Sequence, residues 1–275
     1  METYGIVCLN GRFLPAGEAS VPVTDRGVLY GMGIFETIRV SGGSPRMLER
    51  HLSRLFGSAG ELGFKIPFGR DQIARMIEGT ASENSLREGG LRLTLTAGGD
   101  SAAPNVFITA RNSPYTGDQY RSGIRAGFSS IRRNENSPLV KHKTLNYFEN
   151  IMAKREAAAE GWGEALLLNI PGNLSEGSVS NVFLVNRGKV VTPHLQSGIL
   201  PGVMRRRVIE ACSSLQLPLE ERTVSPGELF LAGECFVTNA LMGVMPVTSV
   251  GASVVGNGSP GIITRALTAA IDDGI

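Results

Sequence analysis

Cysteine, histidine, lysine and tryptophan are all scarce in this chain of 275 residues. The three cysteines, Cys8, Cys212 and Cys235, lie far apart, are odd in number and form no CxxC pair, so no disulfide framework is expected. That usage fits a reducing compartment, and the expected location is the cytoplasm. The three histidines, His51, His142 and His194, show no HExxH spacing, which argues against a catalytic or structural zinc. No metal is expected. No run of about 18 apolar residues occurs, so no membrane span is expected. The stretch Met1–Asn10 carries Glu2 and lacks a long apolar segment, and it does not read as a secretory signal. A formal net charge of +2 provides no strong field to recruit nucleic acid or an anionic membrane. Lysine is a small minority of the basic residues. Only Lys65, Lys141, Lys143, Lys154 and Lys189 stand among 27 basic residues, so any lysine-dependent chemistry has few candidates. Familiar nucleotide and hydrolase motifs are missing as well. There is no GxxxxGK[ST] and no GxSxG, and GMGIFE at 31–36 puts Glu36 where a dinucleotide fingerprint needs its third glycine.

What the chain does hold is a globular composition, with 42% hydrophobic and 19% charged residues, and a length suited to one large domain or two modest ones. Gly5–Leu9 is a short apolar run closed by the turn pair Asn10-Gly11. Alternation at Ile34, Glu36, Ile38 and Val40 predicts a strand after a glycine turn. Leu48, Leu52, Leu55, Phe56, Ala59 and Leu62 recur at three- and four-residue spacing and predict an amphipathic helix over 47–64. Asp71 reads as the cap of a second helix. Strands are expected at 91–96, 106–110, 124–131, 165–169, 234–238 and 245–250, with a hairpin over 181–192. Helices are expected at 146–160, 202–215 and 260–272. Ser113–Arg121 is polar, with Pro114 and Gly117, and reads as the connection between two lobes, its linker at 116–121. Strands and helices without strict alternation favour an α+β fold. The expected division is a smaller N-terminal α/β lobe over 1–115 and a larger C-terminal lobe over 122–275.

Six segments stand out: YGMGIFETIR (30–39), ERHLSRL (49–55), KHKTLNYFENIMAKREA (141–157), LSEGSVSNVFLV (174–185), LPGVMRR (200–206) and VTNALMGVMPV (237–247). Together and in this order they resemble the fold type IV family of pyridoxal-phosphate enzymes. That family includes branched-chain aminotransferases, D-amino acid aminotransferases and 4-amino-4-deoxychorismate lyases. The resemblance runs from about Cys8 to the final helix. It implies a two-lobed α+β fold of the D-amino acid aminotransferase type, with pyridoxal 5'-phosphate in the cleft between the lobes. It also implies a small-molecule substrate and a homodimer in which a loop of one subunit borders the other's site.

The resemblance assigns roles residue by residue. The family's Lys-x-Leu-Asn pattern falls on Lys143-Thr144-Leu145-Asn146, which makes Lys143 the Schiff-base lysine. Spacing alone reads it as one more solvated lysine beside Lys141 and His142. Glu176, in the Ser-Glu-Gly segment, is the carboxylate that keeps the cofactor's ring nitrogen protonated. A bare turn glutamate is the other reading. Arg54, in His51-Leu52-Ser53-Arg54-Leu55, is assigned to the phosphate, which an arginine can bind through two oxygens. The backbone amides of Val203 and Met204, at the start of a helix, are assigned to the same anion. Asn239 falls in a second phosphate-contacting loop, through its side chain or through backbone alone. Tyr147 matches a tyrosine that some relatives aim at the cofactor's phenolic oxygen, and it reads equally well as a core tyrosine. Arg205-Arg206-Arg207 reads as a solvated face.

Near the substrate the branches differ. Branched-chain aminotransferases carry Tyr-x-Arg-Pro where this chain has Leu91-Arg92-Leu93-Thr94, and D-amino acid aminotransferases carry Arg-x-His where it has Ala97-Gly98-Gly99. Asn239-Ala240-Leu241-Met242 and Thr37 instead resemble the lyase. The resemblance therefore implies conversion of 4-amino-4-deoxychorismate to 4-aminobenzoate and pyruvate, a step of folate biosynthesis. In that reading Lys143 is the base and the Thr37 hydroxyl gives a proton to the departing enolpyruvyl group. A strand threonine chosen for β propensity is the alternative. Arg92 is a candidate for a substrate carboxylate or for a structural ion pair, and Tyr30 is assigned to substrate binding. The alternative activity is an aminotransferase acting on branched-chain or D-amino acids with a 2-oxo acid acceptor.

Overall fold

A computed structural model of the chain describes residues 5–100 and 103–272. The outer ends of both expected lobes and the first four residues of the Met1–Asn10 stretch lie outside the described residues. The chain divides into two compact units. One is Met1–Pro114 with His142–Asn146, and the other is Tyr115–Lys141 with Tyr147–Ile275.

The first unit contains β1 (Ile6–Leu9), β2 (Arg12–Pro15), α1 (Arg26–Tyr30), β3 (Gly33–Ser41), β4 (Ser44–Pro45), α2 (Leu48–Glu61), α3 (Arg70–Glu83), β5 (Gly89–Thr96) and β6 (Val106–Arg111). Among the described residues its strands form one antiparallel sheet in the order β2-β1-β6-β5-β3-β4. Period-two alternation sorts the side chains. Ile34, Ile38 and Val40 of β3 and Leu91, Leu93 and Leu95 of β5 pack against Leu52 and Leu55 of α2 and Ile73 and Ile77 of α3. Each such buried aliphatic side chain contributes about 1.5–3 kcal/mol of transfer free energy. The odd positions of β3, Phe35 and Thr37, therefore lie on the opposite face. Arg92 and Thr94 of β5 share that face, because Thr37 pairs with Arg92 and Phe35 with Thr94.

The second unit contains α4 (Gly117–Ser122), β7 (Ile124–Arg133), α5 (Phe148–Ala159), β8 (Glu164–Asn169), β9 (Leu174–Gly177), β10 (Asn181–Asn186), β11 (Lys189–Pro193), α6 (Val203–Ser214), β12 (Leu219–Arg222), α7 (Pro226–Leu231), β13 (Glu234–Asn239), β14 (Gly243–Val250), β15 (Ser253–Val254) and α8 (Ile262–Asp272). Its mixed sheet runs β12-β11-β10-β13-β14-β7-β8-β9, with β15 paired to β14. The β11–β12, β14–β7 and β7–β8 pairs are parallel. Val182, Leu184, Val237 and Met245 lie in one core layer. Phe183 and Phe236 stack with ring centroids 4.9 Å apart. On α5, Ala153 and Ala157 pack onto Ala165 and Leu167 of β8. The small side chains explain how this helix lies close to the sheet. Parallel and antiparallel pairs in one sheet, with helices in no strict alternation, make the fold α+β.

Several local expectations change. Residues 116–121, expected as a linker, form most of α4. The Gln119 side chain accepts from the Thr116 N–H at 3.0 Å and starts that helix. The helix expected around Asp71, α3, begins at Arg70 and is capped by Gln72, which accepts from the Gly69 N–H at 2.8 Å. Asp71 sits in its first turn, where a carboxylate suits the helix dipole. The helix expected from Asn146 begins at Phe148, because residues 142–146 belong to the first unit, where Thr144 forms an isolated bridge with Ile34 of β3. The short helix α1 had no periodic signal in the sequence.

Candidate active site

In the first unit, two glycines of the segment YGMG make room for the lysine-bearing segment. Gly31 ends α1 with φ +67, a left-handed conformation that suits glycine. Its carbonyl accepts from Asn146 Nδ2 at 3.1 Å. A Cβ on Gly33 would lie 2.6 Å from both Leu145 Cδ1 and the Leu95 carbonyl oxygen. Only glycine lets the 142–146 segment come this close. There the Phe35 N–H donates to the Lys143 carbonyl at 2.8 Å and the Leu145 N–H to the Gly33 carbonyl at 2.9 Å. Asp25 braces the other side of α1. It is fully buried and accepts from the Gly27 N–H, the Thr96 hydroxyl and the Asn105 amide.

This docking places Lys143 on the face of Phe35. Lys143 Nζ lies 4.5 Å from the Phe35 ring centroid, and the Arg92 guanidinium carbon lies 3.6 Å from the same centroid. An amine and a guanidinium thus share one aromatic ring. Thr37, directly across from Arg92, is on the same face. Three residues singled out in the sequence, Lys143, Arg92 and Thr37, are thereby brought together. Tyr30 is not packed with them. It ends α1 and is 66% exposed.

The other face of β3 carries a buried ionic cluster that sequence reasoning missed. Glu36 is 1% exposed and accepts from Arg54 Nε at 2.8 Å and Arg54 Nη2 at 2.6 Å, with His51 Nδ1 at 2.7 Å. Burial pushes its carboxyl upward, but the Arg54 charge and the hydrogen bonds from His51 and Arg54 outweigh it and hold the carboxyl at about 2. The fork fixes the Arg54 side chain on α2. The signal was available: one glutamate in an apolar strand, and a histidine and an arginine three apart on a helix. His51 and Arg54 share a helix face at that spacing.

In the second unit Glu176 lies on β9, a buried strand where the sequence suggested a turn. Its Oε2 accepts from the Leu200 N–H at 2.8 Å and from Asn181 Nδ2 at 3.4 Å. Its Oε1 lies 3.1 Å from Arg133 Nη2. Arg133, at the end of β7, is a second residue missed from sequence. Glu164, also buried, shapes the loop that follows. It accepts from the Ser178 N–H and the hydroxyls of Ser178 and Ser180.

The same unit has an anion cradle. Val203 and Met204 open α6 after Gly202, so their amides belong to the first helical turn, whose N–H groups lack intrahelical partners. A Cβ on Gly202 would sit 2.1 Å from Asn181 Oδ1, so the helix start is held tightly to β10. Thr238 on β13 pairs with Asn181, and its buried hydroxyl has no hydrogen-bond partner among the described residues. A phosphate group suits such a corner, with helix amides and an unused hydroxyl. Asn239 has a different job from the one expected of its side chain. Its Oδ1 accepts from the Leu241 and Met242 N–H groups, both at 2.9 Å. Its Nδ2 donates to the Tyr115 hydroxyl and the Val179 carbonyl. The side chain is consumed in shaping the turn between β13 and β14. Tyr147 sits half-buried immediately before α5. Arg205 is not on a solvated face. It is 5% exposed, pairs with Glu221 at 2.6 Å and donates to the Pro193 carbonyl. Its neighbour Arg206 is largely in solvent.

Taken separately, the first unit offers a lysine amine beside an aromatic ring, and the second a buried carboxylate paired with an arginine and a helix start suited to an anion, groups of the kinds that pyridoxal phosphate requires. No His/Cys/Asp/Glu group able to hold a metal occurs among the described residues, and no helix among them is long and apolar enough to cross a membrane. Known proteins agree with the fit. The chain is 31% identical over 278 residues to a D-alanine aminotransferase of Bacillus licheniformis, covering 98% of this chain and 96% of that one. It is 30% identical over 256 residues to an aminodeoxychorismate lyase of Bacillus subtilis, covering 89% and 86%. Its fold matches a T.th. branched-chain amino acid aminotransferase solved with pyridoxamine 5'-phosphate. The TM-score is 0.91 at 28% identity, over 98% of this chain and 93% of that one. The sequence pattern of amino-transferase class IV matches residues 33–250, from the glycine that seats the lysine segment to the end of β14. The chain therefore belongs to the class IV aminotransferase family, the pyridoxal-phosphate enzymes whose motifs it carries in order.

Proposed function

We propose that this enzyme is an aminotransferase that moves an amino group from a branched-chain or D-amino acid to a 2-oxo acid. The observation that carries the reading is the sharing of the Phe35 ring by Lys143 and Arg92. An amino acid presents a carboxylate one carbon from its amino group. A fixed guanidinium beside the reacting amine suits that pair. Pyridoxal phosphate, when bound, supplies an aldehyde for the amino group and a ring that spreads negative charge from the substrate's α-carbon.

Every other task falls to the chain itself. Lys143 Nζ carries the cofactor at rest and moves a proton at the α-carbon during turnover. Arg92 orients the substrate carboxylate. Arg54, held rigid by Glu36, and the Val203 and Met204 amides bind phosphate oxygens. Glu176, backed by Arg133, keeps a proton on the ring nitrogen. Tyr147 is assigned to the phenolic oxygen and Tyr30 to the substrate, and Asn239 acts through the turn it shapes. The exposed apolar side chains of Val23, Val28, Leu29 and Tyr30, close together in sequence, suit contact with a second copy, so the working form is a homodimer. The three free thiols, all buried, suit a reducing compartment such as the cytoplasm.

The test supplies the purified protein and pyridoxal phosphate with L-leucine or D-alanine, each with 2-oxoglutarate. Turnover that requires the keto acid is the expected result. The second reading, aminodeoxychorismate lyase, is favoured by the Thr37 hydroxyl on the Lys143 face and by the Bacillus subtilis relative. Release of 4-aminobenzoate and pyruvate from 4-amino-4-deoxychorismate without a keto acid, and no turnover of either amino acid, would establish the lyase instead.

A further inference from the structure

We propose that His142 is a positioning residue that sets where Lys143 stands. The inference rests on the reading of Lys143 as the cofactor lysine. The segment 142–146 is a short guest of the first unit, since the chain on both sides of it belongs to the second. It needs anchors at both ends. The C-terminal anchor is Leu145 and Asn146, seated on Gly33 and Gly31. The N-terminal anchor is His142. Its ring is buried, with Nδ1 3.0 Å from the Ser58 hydroxyl oxygen and Nε2 3.7 Å from Glu61 Oε2.

The contacts on either side of the backbone explain why this anchor acts on the lysine. Lys143 stands over Phe35, whereas Thr144 bridges to Ile34 of the core face and His142 meets Ser58 and Glu61 of α2. His51, Arg54, Ser58 and Glu61 are spaced three, four and three residues apart and form one stripe of α2. One helix face therefore holds Arg54 through Glu36 and the lysine segment through His142. A carboxylate only accepts, so Glu61 favours a proton on Nε2, and Nδ1 then accepts from the Ser58 O–H. Lys143 and Arg54 are kept in fixed relation by sharing this support. Lys143 is far more sensitive to a small slip than the surrounding core, because a misplacement of about 1 Å costs on the order of a hundredfold in rate.

The test compares His142→Leu, His142→Asn and Ser58→Ala in the full chain, loaded with pyridoxal 5'-phosphate and without it. Asparagine keeps an acceptor near the Nδ1 position and leucine does not. The seat itself is read from hydrogen exchange of the Leu145 amide, which needs no cofactor. Lys143 is read from the pH midpoint of the cofactor's visible band and from kcat against KM. His142→Leu is expected to speed exchange about tenfold or more, move the band midpoint by about half a unit or more, and lower kcat about tenfold or more with KM nearly unchanged. Ser58→Ala should move the same readouts less, and His142→Asn should restore them. Unchanged exchange in His142→Leu would overturn the anchor, whatever Lys143 binds. Faster exchange with an unmoved band and unmoved kcat would reduce His142 to a packing residue and overturn the proposal. Borohydride trapping of wild-type protein on another lysine would overturn the Lys143 reading separately, and the exchange result would still decide the anchor.

Discussion

Replacing Glu36 by glutamine removes the negative charge that β3 sets against the Arg54 fork, and its effect on stability should depend on pH in a defined way. The Glu36 carboxyl lies at about 2, against a usual value of 4.5. At 1.36 kcal/mol per pH unit, that gap corresponds to about 3 kcal/mol of stability for the wild type at neutral pH. A carboxyl lowered on folding contributes fully above 4.5 and loses that contribution as pH falls through about 2. Glutamine keeps one acceptor oxygen for the donors of Arg54 and His51. It leaves the guanidinium, 15% exposed, without this counter-charge. Breaking a buried pair from one side costs about 3–5 kcal/mol. The assay is urea unfolding of both proteins, followed by far-ultraviolet circular dichroism between about pH 7 and pH 2.5. Glu36→Gln should unfold at much lower urea at neutral pH. The gap should narrow by more than half by about pH 3, because only the wild type gains a proton at this site. Parallel curves, with the same gap at about pH 7 and pH 3, would refute the argument that an ionised Glu36 holds Arg54.

Four further substitutions probe other parts of the structure. Lys143→Ala should abolish borohydride incorporation of pyridoxal phosphate and cut turnover by orders of magnitude, and peptide mapping that finds the cofactor on another lysine would contradict the assignment. Gly202→Ala forces a Cβ to within 2.1 Å of Asn181 Oδ1 and should push the α6 start off β10. Its pyridoxal phosphate affinity, measured by equilibrium dialysis, is expected to fall at least tenfold, and an unchanged affinity would remove α6 from the cradle. Arg205→Met leaves the buried Pro193 carbonyl without its guanidinium donor and takes the partner from Glu221. Thermal unfolding should show a loss of about 1–3 kcal/mol, whereas Arg206→Met, on the exposed side of α6, should stay within about 0.5 kcal/mol.

Much of the fold was legible because the patterns were periodic. The α2 helix announced itself through Leu48, Leu52 and Leu55, and β3 through Ile34, Ile38 and Val40. Buried faces impose those spacings, so the sequence has to show them. Short elements without a buried stripe gave no such signal. The helix α4 was not foreseen within the polar segment 113–121, because a few polar residues with a capping glutamine look like any loop. Arg205 was mistaken for a solvated residue because three arginines in a row look alike until one of them meets Glu221.

The candidate site divides along the same line. Resemblance to the family's motifs supplied the candidate residues: Lys143 before Leu-Asn, Glu176 before Gly, Arg54 after His51, and a helix opening at Val203. A motif is a local string of residues, so the sequence can display it, while spacing alone left Lys143 and Glu176 as ordinary surface residues. Which of them stand together was decided only by the folded chain. The glycines at 31 and 33 admit a segment more than a hundred residues away, Glu36 on a strand clamps Arg54 on a helix, and Arg133 meets Glu176 from another strand. Such contacts depend on register and on which way each side chain faces. Register is a property of pairing between distant segments, and a single strand's sequence does not contain it.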